Sequence, residues 1–473
     1  PAQFHCSLIS RKYIFSFHKN GFKCDTTCNL AQEHCVMHIL PQILFLAVFV
    51  VAVYLFSKRI KGIRRNILLG IPEELNDHPE KRWKNVFLLA FGQKKMFKNP
   101  LVAVLHFIIY AGFIIINIEV LEILIDGLFG THRLFNSLIP SLYPYLINIF
   151  EFLAAGVILV CIVFLYRRNI KNLWRFKHSD LNGWPTSDAN LILVTEVILM
   201  GLFLSMNAAD TLLQDRGNLH YVEHPTGNFM VSAYLHPLFN SFSDGALVFI
   251  ERSAWWLHII GILAFLNYLP WSKHLHILLA FPNAYYARLT PQGQFKNMPS
   301  IQQEVKLAFQ PELASEVTNP GNVKFGASDI NELSWKNILD AYSCTECGRC
   351  SSACPASQTG KLLSPRNIMM KTRDRSEEIG QRLDKGLELQ DGKTLLHDYI
   401  TEEELRACTT CNACVEECPV SISPVDIIVQ LRRYLVMEKS SSPQEWTMMF
   451  GNIENNFAPW KFSPTDRANW IND

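Results

Sequence analysis

The chain lacks the glycine-rich signatures of nucleotide chemistry. No G-x-G-x-x-G follows a strand pattern, so no flavin or nicotinamide fold is indicated. No Walker A sequence appears, which speaks against an ATP-driven machine. Net charge is nearly absent as well: 44 Lys and Arg stand against 43 Asp and Glu, leaving +1. The basic residues are not interleaved with aromatics in patches, as a nucleic-acid surface requires. The first 36 residues contain no apolar segment of the kind a secretory signal carries, and no Met precedes Met37. Residues 39–56 (ILPQILFLAVFVVAVYLF) contain no charge at all.

Cysteine, by contrast, is abundant, with 13 in the chain. Eight of them form one pattern written twice: Cys344-x2-Cys347-x2-Cys350-x3-Cys354-Pro355 and Cys408-x2-Cys411-x2-Cys414-x3-Cys418-Pro419. This is the bacterial ferredoxin run, which holds [4Fe–4S] clusters. Three closely spaced thiolates wrap one cluster, and the cysteine before the proline reaches the cluster of the other repeat. The spacing therefore assigns Cys344, Cys347, Cys350 and Cys418 to one cluster, and Cys408, Cys411, Cys414 and Cys354 to the other. Zinc sites use two C-x2-C halves rather than four cysteines in a run ending in proline.

The residues around these runs, AYSCTECGRCSSACPASQTGKLLSPRNIMM and CPVSISPVDIIVQLRRYLV, resemble the C subunit of heterodisulfide reductase and its relatives. The resemblance covers about residues 330–437 and implies two ferredoxin runs separated by a helical insert. That insert, roughly 362–400, mixes charged with apolar residues at helical spacing and reads as two solvated helices. The family works with a cysteine-rich CCG subunit, and no cysteine follows Cys418 here. Such a module is expected on another chain, with an electron-transfer flavoprotein as the alternative soluble partner.

The polar second half hides an apolar first half. After residues 39–56, four more apolar stretches follow at about 101–125, 145–166, 189–209 and 253–269. A helix crossing a bilayer needs about 20 mostly apolar residues, so five transmembrane helices are expected. Loop 57–100 holds eleven Lys or Arg and loop 167–188 holds five, whereas loop 126–144 holds only Arg133 and loop 210–252 only Arg216 and Arg252. Basic loops stay on the cytoplasmic side. The N-terminus is then outside and the cluster domain cytoplasmic, where thiols stay reduced. The first 36 residues, with Cys6, Cys24, Cys28 and Cys35, allow two readings. One is an extracytoplasmic disulfide-bearing extension. The other, favoured by the missing signal pattern, is a start at Met37. Cys161, inside the third stretch, reads as a small packed hydrophobe.

Ionisable residues in spans default to functional hypotheses. His106 (LVAVLHFIIYAGF) lies near the inner end of the second span, and His258 (SAWWLHIIGILAF) in the outer part of the fifth. His274 and His276 follow at the inner surface (LPWSKHLHILLAF). Neutral imidazole is a common axial haem ligand. His106 and His276 share a depth and can grip one haem, with His274 as a fallback ligand. Along a helix, His258 and His276 would stand about 27 Å apart and cannot share one. The stretch 253–289 resembles the last helix of the gamma subunit of respiratory nitrate reductase, and the resemblance extends over roughly 37–290. That five-helix family holds two b haems between its second and fifth helices. The resemblance implies a haem b on His106 and His276. The partner for a second haem on His258 falls on Ile116, leaving His132, His220, His224 or His236 to complete it.

Glu119, Glu122, Glu151 and Glu196 interrupt the apolar spans, and Asp210 ends the fourth. Two readings stand side by side: proton handling at a quinone site through Glu119, Glu151 and Glu196, or helix–helix hydrogen bonding. The sequence thus reads as an all-α chain. It divides into a transmembrane bundle (37–285), a linker (286–330), a dicluster ferredoxin domain (331–437) and a tail (438–473) with Trp446, Trp460 and Trp470. The expected function is a membrane electron-transfer subunit of a quinone-linked respiratory oxidoreductase. The competing class is a membrane-anchored ferredoxin scaffold without haem or quinone chemistry.

Overall fold

A computed structural model describes residues 26–171, 173–223, 225–291, 293–312 and 324–472, with no side chain described before Ile39 or at Ser300. Cys6, Cys24 and His224 lie outside the described residues, as do the side chains of Cys28, Cys35 and Met37. Among the described residues the structure is helical, and its only β pairing is two isolated bridges, Ile71 with Ser334 and Leu396 with Ile400.

Among the described residues, five helices are long and apolar enough to cross a membrane: Ile39–Ile67, Pro100–Phe129, Tyr143–Asn169, Trp184–Asp215 and Asp244–Trp271. Each outruns the apolar stretch that announced it, and the second and fifth open on a side-chain cap. Asn99 caps the second span by accepting from Val102 N at 3.4 Å, with Pro100 in the first turn and Gly130 closing the helix at φ 71°. Ser243 caps the fifth span through Ala246 N at 3.4 Å. Arg64 and Arg65 end the first, and Arg167 and Arg168 the third, where basic side chains complement the helix dipole. Each span packs against its sequence neighbours, and the first closes onto the fifth, giving a ring. Leu44, Leu101, Phe107, Phe152, Leu159, Phe249 and Leu257 point outward and are exposed. An apolar belt of this kind faces lipid rather than water.

The fifth helix does not run on to His276. It stops at Tyr268, passes through short turns at Leu269–Trp271 and Lys273–Leu275, and a separate helix starts as His276–Tyr285. Pro270 lacks the N–H that would continue the helix. The distance along a single helix expected between His258 and His276 therefore does not apply, and His258 sits mid-span rather than in its outer part.

The cysteine-bearing domain packs directly onto one end of the ring. Ile63, Ile67, Leu269 and Leu275 from the membrane half share a core with Ile338, Leu339, Ile368, Met369, Ile427 and Leu431. Ala327 and Ile330, both 0% exposed, belong to this core, so the folded domain begins before residue 331. The insert differs from two solvated helices. It forms one helix, Pro365–Asp384, whose Ile368, Met369, Thr372, Arg375 and Ser376 are buried, followed by irregular chain. Its charges misled because they are paired inside: Arg375 donates to Asp329 at 2.8 Å and to Asp391 at 2.8 Å. The tail carries the surface helix Gln444–Asn456, with no buried residue, and Arg406 lies over the Trp446 ring at 5.2 Å.

Candidate electron-transfer site

The two cysteine runs adopt one backbone twice. Glu346 and Thr410, the residues before the second cysteine of each run, have φ 52° and 55°. Gly348 and Asn412, just after that cysteine, have φ 73° and 61°. These left-handed residues curl each loop so that successive thiols face inward. Short helices follow, Arg349–Ala353 and Ala413–Glu417, and pack on each other. Cys354 and Cys418 then turn extended, and the next long helices start on Ser364-Pro365 and Ser423-Pro424. Gly348 is required in more than one way: a Cβ there would meet Arg366 Nη1 at 2.5 Å.

This repetition builds two adjoining hollows. One is lined by Cys344, Cys347, Cys350 and Cys418. The other is lined by Cys354, Cys408 and Cys411, with Cys414 bordering both. Each run thus sends its last cysteine to the other's hollow. Among the described residues, no group of three or more His, Cys, Asp or Glu side chains converges as a single-ion site does. A zinc ion needs its sulfurs about 2.3 Å from one point. Quartets spread around a hollow suit a cluster of several irons instead. Burial pushes the thiols of Cys344 and Cys414 up to about 12 and that of Cys418 to about 11, with neighbouring cysteines adding repulsion. Thiolates here call for cationic metal to offset their crowding. Backbone N–H groups also aim at sulfur, from Ile422 to Cys418 at 3.3 Å and from Thr410 to Cys408 at 3.4 Å.

The membrane histidines gather beside the first hollow. His106 lies within electrostatic reach of His276 and of Arg349 in the first run. His274 and His276 rings stand 5.6 Å apart, nearly perpendicular. Nδ1 of His106 faces Gln93 Oε1 at 3.0 Å, and Nδ1 of His276 faces the Lys273 carbonyl at 3.0 Å. This engagement leaves both Nε2 atoms for another partner, as in metal-bound histidines. Burial pushes His274 down to about 3, with repulsion from His276 and His106 adding to it, and burial also lowers His276. Both imidazoles are held neutral, the form that binds metal. The donor set fits a haem iron at this end.

No such pairing forms around His258, whose Nδ1 lies 2.9 Å from the Leu199 carbonyl. Ile116 is buried in the apolar core. His236 Nε2 lies 2.9 Å from Thr211 Oγ1, and the rings of His132 and His220 lie 5.3 Å apart, tilted by 40°. The structure thus brings His106, His274 and His276 together and leaves His258 apart.

Among the span carboxylates, Glu119 and Glu151 meet around Arg133 at the end of the ring away from the cysteines. Arg133 donates to Asp210 at 3.0 Å and to Asn207 at 2.7 Å, and its guanidinium lies 3.6 Å from Glu119. Glu151 accepts from Asn207, Val231 N and Ser232 N at 3.1, 2.8 and 3.1 Å. Glu122 accepts from Phe135 N and Tyr143. Both Glu119 carboxylate oxygens are buried without a hydrogen-bond partner. Glu196 is not part of this group and lies near Cys161 on the third span. The polar residues that join bundle and cysteine domain were invisible in sequence: Gln93, Asp180, Lys273, Glu346 and Arg366. Only the position of Glu346 between two cysteines, and of Lys273 beside His274, gave a local sign.

The 4Fe-4S dicluster domain family matches residues 340–422. The chain is similar to a probable iron-sulfur-binding oxidoreductase, FadF, of Bacillus subtilis, 30% identical over 461 residues, covering 90% of this chain and 60% of that protein. It is 26% identical over 425 residues to an EtfAB:quinone oxidoreductase of Syntrophomonas wolfei, covering 84% and 55%. Over 106 residues it is 32% identical to the C subunit of a ferredoxin/F(420)H(2)-dependent CoB-CoM heterodisulfide reductase of Methanosarcina acetivorans, covering 22% and 53%. The chain spans 60% and 55% of the length of the first two. No solved structure matches. These likenesses support an iron–sulfur electron-transfer role.

Proposed function

We propose that this chain is the membrane electron-transfer subunit of a quinone-linked respiratory oxidoreductase. It passes electrons between a quinone, a haem b, two [4Fe–4S] clusters and a soluble partner on the cytoplasmic face. One observation carries the reading: His106, His274 and His276 gather at the end of the ring that meets the first cysteine hollow. A ferredoxin that needed only an anchor would not require neutral, oriented imidazoles at that junction. Bound there, haem and cubanes would supply one-electron transfer. The protein's part is to hold ligands, exclude water and fix distances.

His106 and His276 are the proposed haem ligands, with His274 as alternate. His258 is not assigned a second haem, because the described histidines that might complete it are engaged elsewhere. The five-helix ring supports the resemblance to the nitrate reductase gamma subunit, while His276, which that resemblance puts on the fifth helix, opens a separate one. Glu119 is the best placed proton carrier for quinone chemistry, since no hydrogen bond stabilises its charge. Glu151, with three donors, is better suited to tying the fold. The alternation of basic loops supports a cytoplasmic cysteine domain, in a bacterial or archaeal cytoplasmic membrane. The likeness to an EtfAB:quinone oxidoreductase supports an electron-transfer flavoprotein as donor, and that to the C subunit of a heterodisulfide reductase supports a CCG-type partner.

A reduced-minus-oxidised spectrum of the purified chain tests the reading. A b-type band lost in His106→Ala, together with quinol-dependent reduction of the iron–sulfur centres, is the expected result. Absence of the band from the unsubstituted chain overturns it in favour of a plain membrane-anchored ferredoxin.

A further inference from the structure

The first cysteine loop contains a buried carboxylate that its twin lacks. Glu346 stands between Cys344 and Cys347, lines the first hollow and is 5% exposed. Thr410 occupies the same place in the second run, with its hydroxyl turned to the Thr409 carbonyl at 2.7 Å. An ionised carboxyl at such a site needs compensation, and two cations provide it. Lys273 Nζ lies 2.5 Å from Glu346 Oε2, and Arg373 Nη1 lies 2.9 Å from Oε1.

The Lys273 side chain comes from the membrane half and is 9% exposed. Its ammonium also donates to the Pro185 carbonyl at 2.6 Å and lies 3.8 Å from Asp188. Its backbone N–H donates to Asp188 at 3.1 Å, and its carbonyl faces His276 Nδ1. One residue therefore touches both the histidine group and the wall of the first hollow.

We propose that the Lys273–Glu346–Arg373 triad sets the reduction potential of the cluster in the first hollow, making it differ from the cluster in the second. The inference rests on the assignment of a cubane to Cys344, Cys347, Cys350 and Cys418, and is independent of haem. Fixed charges in a poorly screened interior act strongly on a centre that gains one negative charge on reduction. Glu346 opposes that electron, and Lys273 and Arg373 favour it. Lys273 and Glu346 are thus potential-setting residues with opposite signs, acting through space and not as ligands.

The test is potentiometric EPR on the full-length protein in a Cys354→Ser background, which removes a ligand of the second hollow only. Glu346→Gln is expected to raise the midpoint potential of the remaining cluster, increasing its reduced-to-oxidised ratio at least tenfold at fixed potential, about 59 mV for one electron. Lys273→Met is expected to lower it by a similar factor, and the double substitution to restore an intermediate value. Should Glu346→Gln fail to retain the cluster, Arg373→Met must still lower the potential as Lys273→Met does. Unmoved potentials, or Lys273→Met shifting upward, overturn the proposal. Absence of any cubane signal from the unsubstituted chain would instead refute the cluster assignment itself, so the two failures are distinguishable.

Discussion

Gln93 Oε1 lies 3.0 Å from His106 Nδ1, and Gln93 holds this place at φ 48° while 8% exposed. For a residue with a Cβ that backbone costs about 1 kcal/mol, so its surroundings enforce it. Lys95, two residues on, donates to the Val415 carbonyl at 3.3 Å, and Lys98 pairs with Glu417 at 3.0 Å. The same short segment thus orients a membrane histidine and grips the second cysteine run. Gln93→Leu is expected to weaken haem retention about 10- to 100-fold, as loss of such outer partners does at metal sites. Haem per iron, read by pyridine haemochrome and iron assay, checks it; iron content should stay unchanged.

The crossed arrangement of the hollows makes Cys354 a ligand of the centre formed by the second run. Cys354→Ser should lower bound iron from about eight to about four per chain. The surviving EPR signal should be the one that Cys418→Ser eliminates. If Cys354→Ser and Cys347→Ser instead removed the same signal, each run would be holding its own cluster.

Arg375 is 0% exposed between Asp329 and Asp391. Its hydrogen bonds hold the Asp391 carboxyl at about 2, against an ordinary 3.8. A depressed carboxylate stabilises the fold fully above its unfolded value and loses that contribution as pH falls through the folded one. Acid should therefore weaken this contact between about pH 4 and pH 2. Arg375→Met strands both carboxylates and should destabilise the cysteine domain by roughly 3–5 kcal/mol at neutral pH. It should also flatten the acid limb between those values, read by chemical denaturation across pH.

Gly380 marks where the helix Pro365–Asp384 leans on the first span. A Cβ there would come within 2.7 Å of Asn66 Cγ, and Asn66 is 1% exposed and donates to Tyr342 at 3.1 Å. Gly380→Ala should cost about 1–3 kcal/mol through this overpacking. Thermal unfolding should show the loss, and Asn66→Ala combined with it should recover part by emptying the contested space.

Much of the site was legible because its chemistry is local. The four-cysteine runs carry their ligation in their spacing, and His106 and His276 stood out as imidazoles at matching depth. The surroundings of His258 were not legible: its ring meets the Leu199 carbonyl in the fourth span, a contact no sequence pattern records. The insert was misread for a related reason. Charged residues at helical spacing look solvated until Asp329 and Asp391 are found closing on Arg375.

Composition and spacing were enough to dictate the five apolar helices, the two cysteine loops and their pairing, and the presence of carboxylates in the spans. These follow from how many apolar residues lipid demands and how tightly thiolates must curl around metal. Which groups meet was left to the folded chain: Lys273 with Glu346, Gln93 with His106, and Asp180 with Arg366. Partners brought together from distant parts of the chain leave no period to read, because the closure of the ring and the docking of the cysteine domain set their distances.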